Sequence, residues 1–262
     1  MGSTNFDTSD MTYPPSSPPP AEPPPYTTRL VTARLPERGA RVSYTLLVLT
    51  VLVFVAQMSS QTLLGQDIPA LLGMKINRLI DAGQMWRLIT PVLLHGSLIH
   101  LGFNMYALYV LGPGLERIYG PWRFLALYLL GAFGGNVLSY VLTPGPSLGS
   151  STAIFGLLAA QGAFLYQHRG LFGARSRAAL MNIVMVAVIN FIIGLSPGID
   201  NWGHLGGFVA GGLFAYLGGP QLALTYVMLT PRLQDVRPPA RSLQAAAIVV
   251  LLFSLLAWIG GA

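Results

Sequence analysis

The chain has no cysteine, and only 9% of its 262 residues are charged. Without thiols there are no disulfides, no thiol nucleophile and no Cys-ligated metal centre. So little charge does not make an ordinary soluble surface, where about a quarter of residues are charged. Acidic residues are the scarcer sign, nine against fifteen basic. No internal repeat is evident, which weakens a transporter built from inverted halves. What fills the chain is apolar: 53% of residues are hydrophobic and the mean hydropathy is +0.58.

The apolar residues fall into seven stretches, at about 43–61, 96–113, 122–142, 150–167, 178–196, 202–218 and 243–260. Each approaches the ~20 residues a helix needs to cross the hydrocarbon. They are too long for strands and lack alternation, so helices are expected. Gly112-Pro113-Gly114, Pro144-Gly145-Pro146, Pro197-Gly198, Gly218-Gly219-Pro220 and Pro238-Pro239 mark the expected breaks. The fold class is all-α, a polytopic bundle in a lipid bilayer. Residues 1–42 are expected to form a proline-rich cytoplasmic tail that cannot bury a core. Within it, Pro23 to Tyr26 matches a PPxY pattern that aromatic-lined grooves bind, a pattern that also arises in any proline-rich segment. Residues 43–218 are the expected core, with a long first loop over 61–95. A linker is expected over 219–242 and a final span over 243–262.

The net charge of +6 does not point to a nucleic-acid partner, because of where the charges lie. With the N-terminus cytoplasmic, Arg29, Arg34, Arg38, Arg41, Arg117, Arg123, Arg169, Arg175, Arg177, Arg232, Arg237 and Arg241 are inside. Only Lys75, Arg78 and Arg87 are outside. That asymmetry orients a membrane protein. Seven spans then place the C-terminus outside, and the expected location is the plasma (inner) membrane. No charged start followed by a short apolar core is visible, so the first span is expected to serve as the targeting signal.

Polar residues inside apolar stretches are costly and mark function or helix packing. His100 and Asn104 are spaced i, i+4 and share a helix face. His95 lies about 140° away, with no acid between, which argues against an HExxH-like metal pair; no metal and no cofactor are expected. The His100–Asn104 stripe suits either donation to a developing oxyanion or hydrogen bonding between helices. Ser150, Ser151 and Thr152 open the fourth span, where such residues cap a helix; the same helix start would favour an oxyanion beside a hydroxyl. His204 shares a face with Gly207 and Gly211, a GxxxG pattern that admits a neighbouring helix closely. Spans 2, 4 and 6 all begin at the outer leaflet, so His100, Asn104, Ser151 and His204 converge in depth. A serine needs a base to become nucleophilic, and histidine is the usual one. No carboxylate lies within spans 4 to 6, and Asp200 is in the loop before His204, so a Ser–His dyad is favoured over a triad.

Five segments, in order, resemble motifs of the rhomboid family of intramembrane serine proteases. They are Trp86-Arg87, His95…His100…Asn104, Gly112…Glu116-Arg117…Gly120, Gly149-Ser150-Ser151-Thr152-Ala-Ile-Phe-Gly-Leu, and His204…Gly207…Gly211. The resemblance covers residues 86–211 and implies a six-helix core, here with one added C-terminal transmembrane helix. It implies Ser151 as nucleophile and His204 as general base. The Ser151 N–H, His100 and Asn104 would form the oxyanion hole. Gly207 and Gly211 would bring span 6 against span 4, Trp86, Arg87, Glu116 and Arg117 would be structural, and Phe155 would stack on His204. Implied substrates are transmembrane proteins cleaved in or near their membrane segments. Thr152 stands where the family usually has glycine, which puts the size of the P1 pocket in question. The competing reading is an inactive rhomboid-like protein that binds transmembrane helices; such proteins typically lose the serine or the histidine.

Overall fold

The computed structural model describes residues 39–227 and 230–261. The expected tail up to residue 38, with its Pro23–Tyr26 motif, lies outside the described residues. Among the described residues ten α-helices run α1 (Arg41–Leu64), α2 (Ile68–Gly73), α3 (Asn77–Asp81), α4 (Leu98–Tyr119), α5 (Pro121–Leu142), α6 (Ser151–Gln167), α7 (Arg169–Phe172), α8 (Ala174–Ile193), α9 (Asn201–Gly218) and α10 (Pro239–Gly260). Two 3-10 turns, Met85–Leu88 and Thr90–Leu93, complete the long first loop. The protein is a polytopic membrane helix bundle.

α1, α4, α5, α8 and α10 are long and apolar enough to cross a membrane. Two of the seven expected spans fall short of that description: α6 has 17 residues, and α9 opens on Asn201-Trp202-Gly203-His204 and is rich in glycine. Both pack against α5 inside the bundle, so small and polar residues suit them better than bulky apolar ones. Lipid gives helices no hydrophobic reason to associate, and close backbone approach through small residues supplies van der Waals contact instead. At Gly207 an added Cβ would strike the Thr152 carbonyl oxygen, and at Gly211 the backbone of Gly156. The outer helices show the reverse pattern, exposing Val48, Leu52 and Val55 on α1, Val184 and Val188 on α8, and Leu251 and Trp258 on α10.

α8 and α10 each begin four residues before the expected start, at Ala174 and Pro239, and two larger departures bear on the packing. α4 continues through Gly112-Pro113-Gly114 to Tyr119, with Pro113 inside the helix. Proline is tolerated in membrane helices because neighbours re-satisfy the freed backbone groups. The extra turn carries Glu116, fully buried, which accepts from Val42 N (2.9 Å), Ser43 N (2.7 Å) and Ser43 Oγ (2.7 Å). A carboxylate from one helix thus satisfies free N–H groups at the start of another, where the helix dipole favours negative charge.

The segment expected as a plain linker holds an antiparallel hairpin, β1 (Leu222–Val227) and β2 (Thr230–Asp235), with Leu224 opposite Leu233. Its composition, with Pro231 in the second strand, hides it from pattern reading. The hairpin is fastened to the helix ends remote from Ser151. Arg123 pairs with Asp235, Leu222 N donates to His168 Nε2 (2.8 Å), and Arg237 Nη1 donates to Tyr216 O (3.1 Å).

Candidate active site

The loop before α6 is held from the first loop. Lys75 and Ser147 exchange both backbone hydrogen bonds, at 2.9 and 3.1 Å. The Lys75 side chain, fully buried, donates to the carbonyls of Ser139 (3.2 Å), Thr143 (2.6 Å) and Gly145 (2.8 Å). It therefore ties the C-terminus of α5 to the loop that delivers Ser151. Burial lowers its ammonium to about 8, against the opposing pull of Asp200. Nothing in the sequence marks this lysine, because its partners are all backbone carbonyls. Trp86 and Arg87 brace the first loop internally: Trp86 Nε1 donates to Leu72 O (3.1 Å), and Arg87 Nη1 and Nη2 to Met74 O (2.7 Å) and Leu71 O (2.8 Å).

Gly149 N donates to Pro91 O (2.9 Å), and its φ of +132° is a conformation that favours glycine. A side-chain carbon there would sit 2.9 Å from His100 Nε2 and 3.7 Å from Ser151 Oγ. The imidazole and the hydroxyl thus border one small space that only glycine leaves open.

Ser151 and Ser150 have different fates. Ser151 is half-buried, and its Oγ lies 3.0 Å from His204 Nε2. Ser150 is fully buried, caps no N–H of α6, and places its Oγ 3.3 Å from His95 Nε2. Helix capping therefore accounts for neither hydroxyl. His204 is 9% exposed, and its Nδ1 has no hydrogen-bond partner. Its ring lies flat on Phe155, with centroids 4.3 Å and planes 12° apart. Asp200 does not take the place of a third group: it caps α9 through Gly203 N (3.0 Å) and accepts from Ser139 Oγ and Thr143 Oγ1. Burial pushes the Asp200 carboxyl upward, but hydrogen bonds from Ser139, Gly203, Ser147 and Thr143 outweigh it and hold the group below the usual carboxylate range.

Asn104 is buried on the same stripe as His100, but its Nδ2 donates to His100 O (2.9 Å) within its own helix. That spends one of its two amide hydrogens. Thr152 does not project toward the Ser151–His204 space. It is buried, with its methyl packed between Gly135 of α5 and Gly203 of α9, and its Oγ1 has no partner. Arg117 is exposed. Among the described residues no cluster of three His, Asp or Glu side chains is placed to hold a metal.

The family model for the Rhomboid domain matches residues 82–221, just over half of the chain. The chain belongs to the rhomboid family. It is similar to "Rhomboid protease GluP" of Bacillus subtilis, 44% identical over 147 residues that make up 55% of this chain and 28% of that protein. It is also similar to "RHOMBOID-like protein 5" of Arabidopsis thaliana, 39% identical over 155 residues, 57% of this chain and 50% of that one. A third relative is "Rhomboid-type serine protease 2" of Emericella nidulans, 37% identical over 134 residues, 49% of this chain and 26% of that protein. This rhomboid chain thus spans half or less of the length of these curated relatives. The residues that the family model matches take in the hydroxyl–imidazole pair and the His100–Asn104 stripe, whereas the hairpin and α10 lie beyond them.

Proposed function

We propose that the chain is an intramembrane serine endopeptidase, with Ser151 as nucleophile and His204 as general base. The observation that carries this reading is the 3.0 Å contact between His204 Nε2 and Ser151 Oγ, made between the first turns of two helices. His204 Nε2 takes the Ser151 proton as Oγ attacks the scissile carbonyl, and returns it to the leaving amine. For Nε2 to accept, the ring proton must sit on Nδ1, and that nitrogen meets no carboxylate. The stacked Phe155 ring, together with the Gly207 and Gly211 packing, does the orienting instead. The oxyanion forms in the space kept open by Gly149, facing His100, the Ser151 N–H and the remaining Asn104 N–H. Trp86, Arg87 and Glu116 hold the scaffold without touching the reacting groups.

The substrates under this reading are transmembrane proteins, cleaved in or near their membrane segments at the end of the bundle where α4, α6 and α9 begin. The positive charges favour a cytoplasmic N-terminus and an outside C-terminus, and the plasma (inner) membrane is the location proposed with them. The alternative, an inactive helix-binding rhomboid-like protein, is disfavoured by the retained and hydrogen-bonded serine and histidine. The test is cleavage of a single-span substrate in liposomes. Wild type is expected to cleave, and Ser151→Ala and His204→Ala to lose cleavage with expression intact. Cleavage surviving Ser151→Ala would overturn the nucleophile.

A further inference from the structure

His95 takes no part in the reaction proposed above, yet it lies at the centre of a buried polar chain. Its backbone N–H donates to Gln57 Oε1 of α1 at 3.0 Å, and Gln57 Nε2 donates to Asp67 Oδ2 at 2.7 Å. Asp67 in turn caps α2 through Ala70 N at 3.0 Å. On its other side, His95 Nε2 is 3.3 Å from Ser150 Oγ. Gln57, His95 and Ser150 expose no surface at all. Burying polar side chains is costly unless they are hydrogen-bonded; here Gln57 bonds Asp67 and the His95 backbone, and Ser150 meets His95 Nε2, while His95 Nδ1 has no partner. Burial, reinforced by the neighbouring His100, lowers the His95 ring to about 4, so above that pH it is a neutral group with one nitrogen donating and one accepting.

The chain touches both sides of the space left open by Gly149. The His95 ring meets the His100 ring edge-on, with centroids 5.0 Å apart and planes at 63°. Ser150 is joined by one peptide bond to Ser151, whose hydroxyl borders the same space. One hydrogen bond between His95 and Ser150 therefore sets the distance between two groups that must converge on a single oxygen atom.

We infer that His95 and Ser150 are positioning residues, whose hydrogen bond holds the Ser151 backbone and the His100 imidazole in register for oxyanion binding. This rests on the reading of the chain as a serine endopeptidase. A misplacement of about 1 Å in such a constellation costs up to about a hundredfold in rate.

The experiment uses the full chain in liposomes with a single-span substrate, and measures kcat, KM and thermal midpoint. The variants are Ser150→Ala, His95→Leu, the double variant, and His95→Gln, whose amide can still bond Ser150. Ser150→Ala and His95→Leu are expected to lower kcat on the order of tenfold with KM unchanged. The double variant should be no slower than the worse single one, since both break the same bond, and His95→Gln should recover part of the rate. Ser150→Ala is a small change that keeps the proposal testable even if His95→Leu does not fold. A wild-type kcat in Ser150→Ala beside an inactive Ser151→Ala would overturn this proposal alone, as would additive losses in the double variant. An inactive wild type, or an active Ser151→Ala, would overturn the endopeptidase reading and this proposal with it.

Discussion

The imidazole of His204 lies flat against the ring of Phe155, 4.3 Å between centroids and 12° from parallel. Phe155 in turn meets Phe191 of α8 at 5.0 Å, and Phe191 meets Phe208 of α9 at 6.2 Å. His204 therefore packs on an aromatic cluster spanning three helices, and its Nδ1 finds no carboxylate. Phe155→Leu keeps apolar volume and removes the stacked face. Aromatic pairs contribute roughly 0.5–1.5 kcal/mol beyond burial, so kcat should fall by about two- to tenfold with KM little changed. An unchanged kcat would mean that helix packing alone holds the ring.

Gly207→Ala sets propensity against packing. Alanine is the better helix former by about 1 kcal/mol, but its Cβ would collide with the Thr152 carbonyl oxygen. That atom is backbone and cannot rotate away, so α9 must shift from α6 at the turn that carries His204. Cleavage in liposomes should fall at least tenfold, on the scale set by small misplacements of reacting groups. A Gly207→Ala variant as active as wild type would contradict the close approach of the two helices.

Glu116 separates stability from chemistry. It is fully buried and accepts three hydrogen bonds from the start of α1. Hydrogen bonds to charged groups contribute about 1.5–3 kcal/mol each, less when neighbours compensate. Glu116→Ala should lower the thermal midpoint in detergent by several degrees, while the rate per folded molecule stays near that of wild type. A large kcat loss at unchanged midpoint would point to a role beyond anchoring α1.

Lys75 gives the protein a pH dependence on the alkaline side. Its folded-state pKa is lowered to about 8, because burial disfavours the ammonium more than Asp200 favours it. Below pH 8 both folded and unfolded chains carry the proton, and the desolvation cost is fully expressed. Between pH 8 and the ordinary lysine range the unfolded chain binds the proton and the folded chain does not, so this group's contribution to stability rises with pH. The midpoint of wild type relative to Lys75→Met should therefore increase from pH 8 to pH 10. A relative decrease over that interval would show that the charged form is the one the site stabilises.

Much of the fold was legible because lipid imposes simple rules. A segment crossing the hydrocarbon must satisfy its own backbone, so seven apolar stretches read as helices, and helices at all seven places are present. The continuation of α4 past Pro113 was not legible, since proline is a break signal locally and its tolerance depends on neighbours. The hairpin at 222–235 was not legible either, because a short pair anchored by Arg123, His168 and Arg237 has no periodic signature of its own.

The sequence by itself determined the residue types available to the site, Ser151 and His204 among them, and the absence of cysteine and of a carboxylate inside spans 4 to 6. Spacing along each helix determined which of them share a face, because 3.6 residues per turn is a local property. Only the tertiary structure decided which serine meets which histidine. Ser150 and Ser151 are adjacent and chemically identical, and a rotation of about 100° around one helix sends one hydroxyl to buried His95 and the other to His204. Nor does any local pattern turn the Thr152 methyl into the gap between Gly135 and Gly203, or bring Lys75 onto the end of α5. Those outcomes depend on contacts between residues tens of positions apart, which exist only once the helices have packed.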